Sequence, residues 1–318
     1  MGSLLAELGK KLAERWLSLL VLPGALYLAT VAAAHALGHA HPFDASRLSH
    51  RLDQLATEAQ ADSSSRLAVI LLALLLAAAV VGVIAQAAGS ATERLCLAVD
   101  WRQWPAPLRR LAHRRVTRRR TRWTQRREEA ATARARAHRA GDVAPLDPGD
   151  DMDVAYMRIA AELPARPTWM GDRLHAVAIR LSRDLGLDLP TVWPHLWLTA
   201  PDTCRTEITA AREGLTRATT LAGWGLLYVA AGVLWWPALL IAFVVITTAW
   251  RRARTVADAY ATLVEATARL YTPDLARHLG LDHTGPLTRQ TGRDLTCLLQ
   301  GRSHPSPASA ADPSASSG

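Results

Sequence analysis

Long apolar runs are the dominant pattern of this chain, and they predict helices that cross a membrane. About 20 apolar residues, each rising ~1.5 Å, cover a hydrocarbon core of ~30 Å. Residues 16–37 and 67–91 each supply one such run, so we predict one spanning helix from each. A third run, residues 221–250, contains no Asp, Glu, Lys or Arg. It is too long for one upright helix and short for two.

The third run has two interpretations. In the first it is a helical hairpin that turns between Trp235 and Pro237, because proline breaks a helix and tryptophan prefers the membrane–water interface. In the second it is one tilted helix with a kink at the proline. The hairpin is favoured because it keeps Arg217 and Arg251, which flank the run, on the same side of the membrane. Its second arm is short, so residues beyond Trp250 must help to cover the bilayer.

Amphipathic and polar segments between the apolar runs predict the rest of the organisation. Leu174, Val177 and Leu181 follow a helical period, and Gly186 is a typical helix end. The predicted segments are an amphipathic N-terminal helix (1–15), two transmembrane helices with an outer loop at 38–65 (16–91), an Arg-rich cytoplasmic helical segment (92–140), a cytoplasmic helical domain (141–217), a transmembrane hairpin (218–250), cytoplasmic C-terminal helices (251–300) and a disordered tail (301–318). The expected fold class is all-α: a polytopic membrane protein with four transmembrane helices and a helical cytoplasmic domain.

A cluster of arginines follows the second apolar run. The chain has a net charge of +9, and residues 92–140 carry many of its cations, which suits a cytoplasmic segment. The segment has three interpretations: a helix that contacts anionic lipid head groups, a surface for an acidic protein partner, or a nucleic-acid site with a stacking tryptophan. Lipid is preferred, and nucleic acid is disfavoured because no known nucleic-acid-binding module surrounds the arginines. The candidate residues are Arg109, Arg110, Arg114, Arg115, Arg118, Arg119, Arg120 and Trp123.

Small residues form a stripe along the second apolar run. Gly82, Gln86 and Gly89 fall on nearly one side of a helix. Such a stripe is typical of a helix-packing face in a membrane, where Gln86 could donate a hydrogen bond across the interface. We therefore expect this face to contact the first or third span.

Motifs that carry chemistry are not found in the sequence. It has no phosphate-binding Gly-rich loop, no GxSxG and no HExxH, so we predict no enzyme activity and no cofactor. His35, His39 and His41 form a candidate metal site, since the first two share a helical face, but interfacial histidines without metal are commoner. His195 and Cys204 could in principle act as base and nucleophile, although nothing in their spacing selects them.

Acidic residues near position 150 and the three cysteines also yield no metal pattern. The acids between Asp147 and Asp153 lack the spacing of an EF-hand loop, and a helix N-terminus explains them more simply. Cys96, Cys204 and Cys297 are far apart in sequence and form no zinc motif. We expect them to be unpaired thiols in a reducing compartment.

One segment resembles a known group of sequences. It begins PTWMGD, with Pro167, Thr168, Gly171 and Asp172, and continues to a Trp-Pro-x-Leu motif at 193–196. This resembles uncharacterised bacterial multi-pass membrane proteins with a PTxxGN/D…WPxL cytoplasmic segment before an apolar pair. The chain departs from that pattern at Asp172, where those proteins have Asn. The resemblance covers about the C-terminal half, implies the same architecture and implies no activity.

The sequence as a whole favours a non-enzymatic integral protein of a bacterial cytoplasmic (inner) membrane, with both termini in the cytoplasm. Its expected partners are the lipid bilayer, anionic head groups of the inner leaflet, and either further copies of itself or a cytoplasmic protein that it scaffolds or tethers. A channel or pore-forming effector is the first alternative, although no charged residue lies in the apolar cores. A membrane-anchored enzyme is the second alternative.

Overall fold

The computed structural model describes residues 7, 21–38, 46, 49, 64–139, 156–281 and 285–302. Within these residues it contains eight α-helices, one 3-10 turn and no strand, which confirms the all-α prediction. The helices are α1 (Leu22–Leu37), α2 (Ser64–Leu97), α3 (Ala106–Arg139), α4 (Trp169–Leu185), α5 (Leu189–Thr199), α6 (Asp202–Gly232), α7 (Pro237–His278) and α8 (Arg289–Leu299); the 3-10 turn is Trp101–Gln103.

The chain divides into two compact units. Unit 1 contains Met1–Leu95 and Gly214–Arg254, and unit 2 contains Cys96–Glu213 and Thr255–Gly318. Among the described residues, α2 over Ala68–Leu97 is the one helix that is long and apolar enough to cross a membrane. α1 is apolar but shorter. The structure therefore supports one of the four predicted spans by length and composition.

Unit 1 has small residues inside and large apolar residues outside. Its buried positions are mainly alanine and glycine: Ala34, Ala78, Gly82, Ala85, Gly89, Ala218, Gly223, Ala231, Ala238, Ala242 and Ala249. Leucine, valine and phenylalanine side chains lie on its surface, with Phe243 68% and Leu72 58% exposed. This distribution is the reverse of a water-soluble core and is typical of helices that pack through small residues in lipid.

Glycines bring the helices of unit 1 into backbone contact. A Cβ on Gly24 of α1 would lie 2.2 Å from the carbonyl oxygen of Ala78 on α2. A Cβ on Gly223 of α6 would lie 2.2 Å from the oxygen of Ala85. The hydroxyl of Tyr27 on α1 also donates to the carbonyl of Leu227 on α6 at 3.2 Å. The three helices are thus mutually packed at distances that leave no room for a side chain at these glycines.

The packing stripe of α2 differs by one residue from the predicted stripe. Gly82 and Gly89 are buried as expected, but the third member is Ala85, and Gln86 is exposed. The reason is the 3.6-residue period: one residue turns the helix by about 100°, which carries Gln86 off a face made by positions 78, 82, 85 and 89. Gln86 is therefore not the cross-interface donor that the sequence suggested.

The apolar run 221–250 forms two helices that pack against each other. α6 ends at Gly232 and α7 begins at Pro237. A Cβ on Gly232 would lie 2.3 Å from the side chain of Leu239, and one on Gly225 would lie 2.5 Å from Ile246. Moving from Gly232 back to Gly225 on α6 moves the contact forward by the same seven residues on α7, from Leu239 to Ile246, so the two arms are antiparallel. The break coincides with the Trp-Trp-Pro triplet, where proline cannot continue the preceding helix.

Unit 2 has a conventional core of large aliphatic side chains. Val177 and Leu181 of α4, Leu196 of α5 and Leu295 of α8 are almost fully buried and pack with residues of α7 beyond Ala261. The predicted amphipathic helix is present as Trp169–Leu185, and Gly186 ends it in a left-handed conformation with φ 70°. Leu196 of the Trp-Pro-x-Leu motif is thus a core residue, and Trp193 packs beside it.

Candidate functional site

The PTWMGD segment begins α4 and is bonded to the end of α2. Thr168 is the N-cap of α4, and its Oγ1 accepts a hydrogen bond from the N–H of Gly171 at 3.1 Å. The same hydroxyl donates to the carbonyl of Cys96. A Cβ on Gly171 would lie 2.5 Å from the carbonyl oxygen of Leu97. Threonine and glycine at these positions therefore allow α4 to start against carbonyls that α2 leaves without helical partners.

Asp172 is the buried charge at the centre of this contact. It is 5% exposed and accepts hydrogen bonds from the N–H groups of Ala165 (2.8 Å) and Arg166 (2.7 Å). Its other oxygen forms an ion pair with Nη2 of Arg119 on α3, at 2.7 Å. Burial raises the pKa of Asp172, while the Arg119 charge and the two backbone donors oppose that rise. The side chain thus joins α3, α4 and the segment between them.

Arg166 and His175 flank the carboxylate. Nη1 of Arg166 donates to the carbonyl of Leu97 at 3.2 Å, and burial lowers the pKa of its guanidinium. Burial also lowers the pKa of His175, and the positive charge of Arg166 adds to that shift. Both effects favour the neutral form of the His175 ring.

Side chains near α3 satisfy the carbonyls of the irregular segment 156–167. Arg119 donates to Ile159 at 2.8 Å, and Arg120 to Pro164 at 2.6 Å. The indole N–H of Trp123 donates to Ala160 at 3.0 Å, and that of Trp101 donates to Ala165 at 3.2 Å. We call this network, with Thr168, Gly171, Asp172 and Arg166, the PTWMGD clamp. It explains how this segment, which is not helical after Met157, stays packed.

The clamp gives a structural role to three of the predicted surface residues. Trp123 is 6% exposed and packs edge-to-face on Tyr156, with ring centroids 5.9 Å apart. Arg119 and Arg120 are bonded to unit 2 itself. All three side chains therefore have a structural role in unit 2. Trp123 and Arg119 are largely buried, whereas Arg120 stays exposed and lines a groove with Arg109 and Arg114. The decisive signal is the 3.6-residue period, which puts Val116, Arg119 and Trp123 on one face of α3.

The remaining candidates form an exposed basic surface on α3. We call it the arginine face; it consists of Arg109, Arg110, Arg114, Arg115 and Arg118. Among the described residues, none of the five forms an ion pair with a carboxylate. Two shallow grooves, of about 540 and 600 Å³, lie along this part of α3 and share His113, Arg114 and Thr117. The arginine face is thus an unneutralised cationic surface.

Helices α4 and α7 are joined by a ladder of ion pairs. Arg173 pairs with Asp258, Arg180 with Glu265, and Asp184 with Arg269. All three pairs have a sequence separation of 85, so the two helices run parallel and in register. The hydrogen bond from Arg180 lowers the pKa of Glu265, and that from Arg269 lowers the pKa of Asp184. The ladder fixes the register of α4 on α7.

The other predicted chemical sites are not assembled in the described residues. Sγ of Cys204 contacts the hydroxyl of Tyr271 at 3.6 Å, whereas Nδ1 of His195 contacts the carbonyl of Thr191 within its own helix. His35 lies in the last turn of α1, but His39, His41 and the acids between 147 and 153 lie outside the described residues. Within the described residues, no disulfide joins Cys96, Cys204 or Cys297. Where the structure describes the chain, no three His, Cys, Asp or Glu side chains are grouped as metal ligands.

No family model, no curated protein and no solved structure matches the chain. The features that bear on function are therefore the inside-out packing of unit 1, the arginine face and the clamp.

Proposed function

We propose that the chain is a non-enzymatic inner-membrane protein that crosses the bilayer four times and tethers a partner at the cytoplasmic surface. One observation carries the membrane part: the inside-out surface of unit 1. α2 exposes Val69, Leu71, Leu72 and Leu76, although water would favour burying them. A lipid environment removes this conflict, since hydrocarbon is as apolar as these side chains.

α1 and the two arms of the α6–α7 hairpin show the same pattern as α2. Leu22 and Leu26 are exposed on α1, Val233 on the loop after α6, and Phe243 on α7. Their buried contacts are made by glycine and alanine. α1 is shorter than a full span in the described residues, and the rest of the predicted span at 16–37 lies outside them. We therefore assign all four helices to the bilayer.

The distribution of arginines supports one orientation. Arg94 lies near the end of α2, Arg217 before the apolar part of α6, and Arg251 and Arg252 after the apolar part of α7. The hairpin turn, residues 233–236, has no charged residue. By the positive-inside rule the arginine-rich ends lie in the cytoplasm, and unit 2 lies there with both termini.

The arginine face suits contact with the anionic inner leaflet or with an acidic partner protein. A basic residue near an anionic surface contributes ~1 kcal/mol. Arg114, Arg115 and Arg118 lie within about 100° of one another around α3, so these three can contact one surface together. Association of several copies through the exposed faces of unit 1 is part of the same proposal. The absence of charged side chains in the apolar segments favours this scaffold over an ion-coupled transporter.

Reporter fusions test the insertion and the orientation. After membranes are washed with alkaline carbonate, the full chain should remain in the membrane pellet. A fluorescent protein fused after Gly301 should fluoresce, because that position is cytoplasmic in this proposal. Alkaline phosphatase fused after Trp236 should be active, because the hairpin turn is periplasmic. Extraction by carbonate, or a periplasmic position for Gly301, would refute the four-span topology.

Chemical modification tests the arginine face. Full-length protein in nanodiscs of phosphatidylglycerol or of phosphatidylcholine is treated with phenylglyoxal, which modifies arginine, and the sites are mapped by mass spectrometry. Arg114, Arg115 and Arg118 should be protected only by phosphatidylglycerol, while exposed Arg183 of α4 serves as the internal control. Equal modification in both lipids would rule out the proposed lipid contact.

A robust ion conductance of the purified protein in liposomes would contradict the scaffold function.

A further inference from the structure

A groove in unit 1 combines one charged group with an apolar wall. Its volume is about 800 Å³, within the range of roughly 300–1,000 Å³ of ligand sites. α2 and α6 supply most of the lining, and α1 contributes Pro23. The lining residues are Pro23, Val83, Gln86, Ala87, Ser90, Thr216, Arg217, Thr220, Leu221 and Trp224.

Apart from Gln86, the polar lining residues lie toward one end of the groove and the apolar ones toward the other. α2 and α6 are antiparallel, because Gly89 contacts Thr220 and Ala85 contacts Gly223. Ser90 of α2 is therefore level with the start of the apolar part of α6. Val83 lies ~10 Å before Ser90 along α2, and Trp224 lies one turn after Thr220 along α6. Because the two helices are antiparallel, Val83 and Trp224 are displaced toward the same end of the groove. The groove is amphipathic along its length.

Arg217 supplies the positive charge at the polar end. It is exposed, and among the described residues it is the one charged member of the lining. The nearest acid on α2, Glu93, accepts hydrogen bonds from the hydroxyls of Thr216 (3.3 Å) and Thr219 (3.4 Å). The hydroxyls of Ser90 and Thr220 donate to main-chain carbonyls, so the donors at this end are those of the Arg217 guanidinium. A guanidinium matches a phosphate ester, because it offers charge and several N–H donors to phosphate oxygens.

Gln86 gives a second reason for a ligand. It lies in the apolar part of α2 and is exposed toward the groove. A polar amide at membrane depth is costly unless it has a hydrogen-bond partner, and the small-residue packing face does not use it. The glycerol and ester oxygens of a phospholipid lie just below its phosphate and accept such bonds.

We propose that this groove binds one anionic phospholipid, with its phosphate on Arg217 and one acyl chain along Val83, Leu221 and Trp224. The site is distinct from the arginine face, which would contact the leaflet surface without selecting a single molecule. Because it requires unit 1 to lie in a bilayer, the proposal rests on the membrane insertion proposed above.

Binding is measured by native mass spectrometry of the full chain in detergent after titration with phosphatidylglycerol or phosphatidylcholine. One phosphatidylglycerol per chain should be retained, at least five-fold more than phosphatidylcholine. Arg217→Gln should abolish that preference, because it removes the positive charge. Arg118→Gln removes the same charge from the arginine face and should leave the preference intact. Ala87→Phe should reduce retention of both lipids by filling the groove without a change in charge.

A photoactivatable phosphatidylglycerol with the reactive group in its acyl chain locates the lipid. Adducts should map to residues 83–90 and 216–224, and Ala87→Phe should remove them. Equal retention of the two lipids by the wild-type chain, or an unchanged preference in Arg217→Gln, would overturn the proposal. If carbonate leaves the chain in the membrane while either result holds, the groove site alone fails. If carbonate extracts the chain, the membrane assignment fails as well.

Discussion

Removal of the Asp172 carboxylate is the most demanding test of the clamp. Asp172→Ala leaves two backbone N–H groups, those of Ala165 and Arg166, without their acceptor, and leaves the Arg119 guanidinium without its carboxylate. The Arg119 side chain is only 16% exposed, so water can replace little of the lost interaction. Breaking a buried ion pair from one side costs ~3–5 kcal/mol.

This free energy converts to a large thermal shift. For a chain segment of 150–250 residues, 1 kcal/mol shifts Tm by roughly 2–4 °C, so Asp172→Ala should lower Tm by roughly 6–20 °C. Asp172→Asn retains one carbonyl oxygen for the two N–H donors and should cost less, about 1–3 kcal/mol. Unfolding of the full chain in detergent is followed by tryptophan fluorescence. The indoles of Trp123 and Trp101 are hydrogen-bonded to segment 156–167, so their fluorescence reports on it directly.

A local readout separates a lost clamp from general loss of stability. Trypsin cleavage after Arg158 should accelerate in Asp172→Ala, because the segment that contains this site is released from α3. Asp258→Asn is the matched control: it removes a carboxylate from an ion pair that is half exposed, with Asp258 at 54%, and should cost less than ~1 kcal/mol. If Asp172→Ala shifts Tm no more than this control, the clamp does not stabilise unit 2.

Three further predictions concern other parts of the molecule. Gly223→Leu should destabilise unit 1 by about 1–3 kcal/mol or more, because its side chain meets a main-chain carbonyl of α2, whereas Ala230→Leu on an exposed position should be near neutral in detergent thermal melts. Trp123→Ala should cost ~3–5 kcal/mol by the same assay, and a change below ~1 kcal/mol would restore its predicted surface role. The hydrogen bond from Arg180 lowers the pKa of Glu265 below its ordinary 4.5. The ionised carboxylate therefore stabilises the fold above about pH 4.5, and this stabilisation is lost as the pH falls further. In Glu265→Gln, which lacks the carboxylate, Tm should fall less steeply below that pH.

Helical periodicity and helix-ending residues allowed much of the fold to be predicted from the sequence. The helix that ends at Gly186 follows directly from its apolar spacing and from a residue that tolerates φ 70°. The break before Pro237 follows from proline chemistry. α2 follows from length and composition alone. These features depend on neighbouring residues, so local physical rules are sufficient for them.

Surface and interior assignments on α3 needed the tertiary structure. An arginine-rich helix gives no apolar stripe strong enough to mark its buried face, so Trp123 and Arg119 resembled exposed arginine-face residues. Only the fold shows that segment 156–167 covers them, bringing Asp172 to Arg119 across a sequence separation of 53. Long-range contacts also decided the position of Gln86. The sequence placed it on the packing face with Gly82 and Gly89, but α6 packs on Ala85 instead, and Gln86 is exposed.

The amino-acid pattern was enough to predict that the chain is helical, where its strongest apolar helix lies and where the last apolar run breaks, because each depends on local composition and backbone preference. Long-range packing was needed to show which arginines are exposed, which residue begins α4 against the end of α2, and that a groove forms beside Arg217. These outcomes depend on contacts between residues far apart in sequence. A one-residue rotation of a helix, about 100°, is enough to exchange a buried side chain for an exposed one.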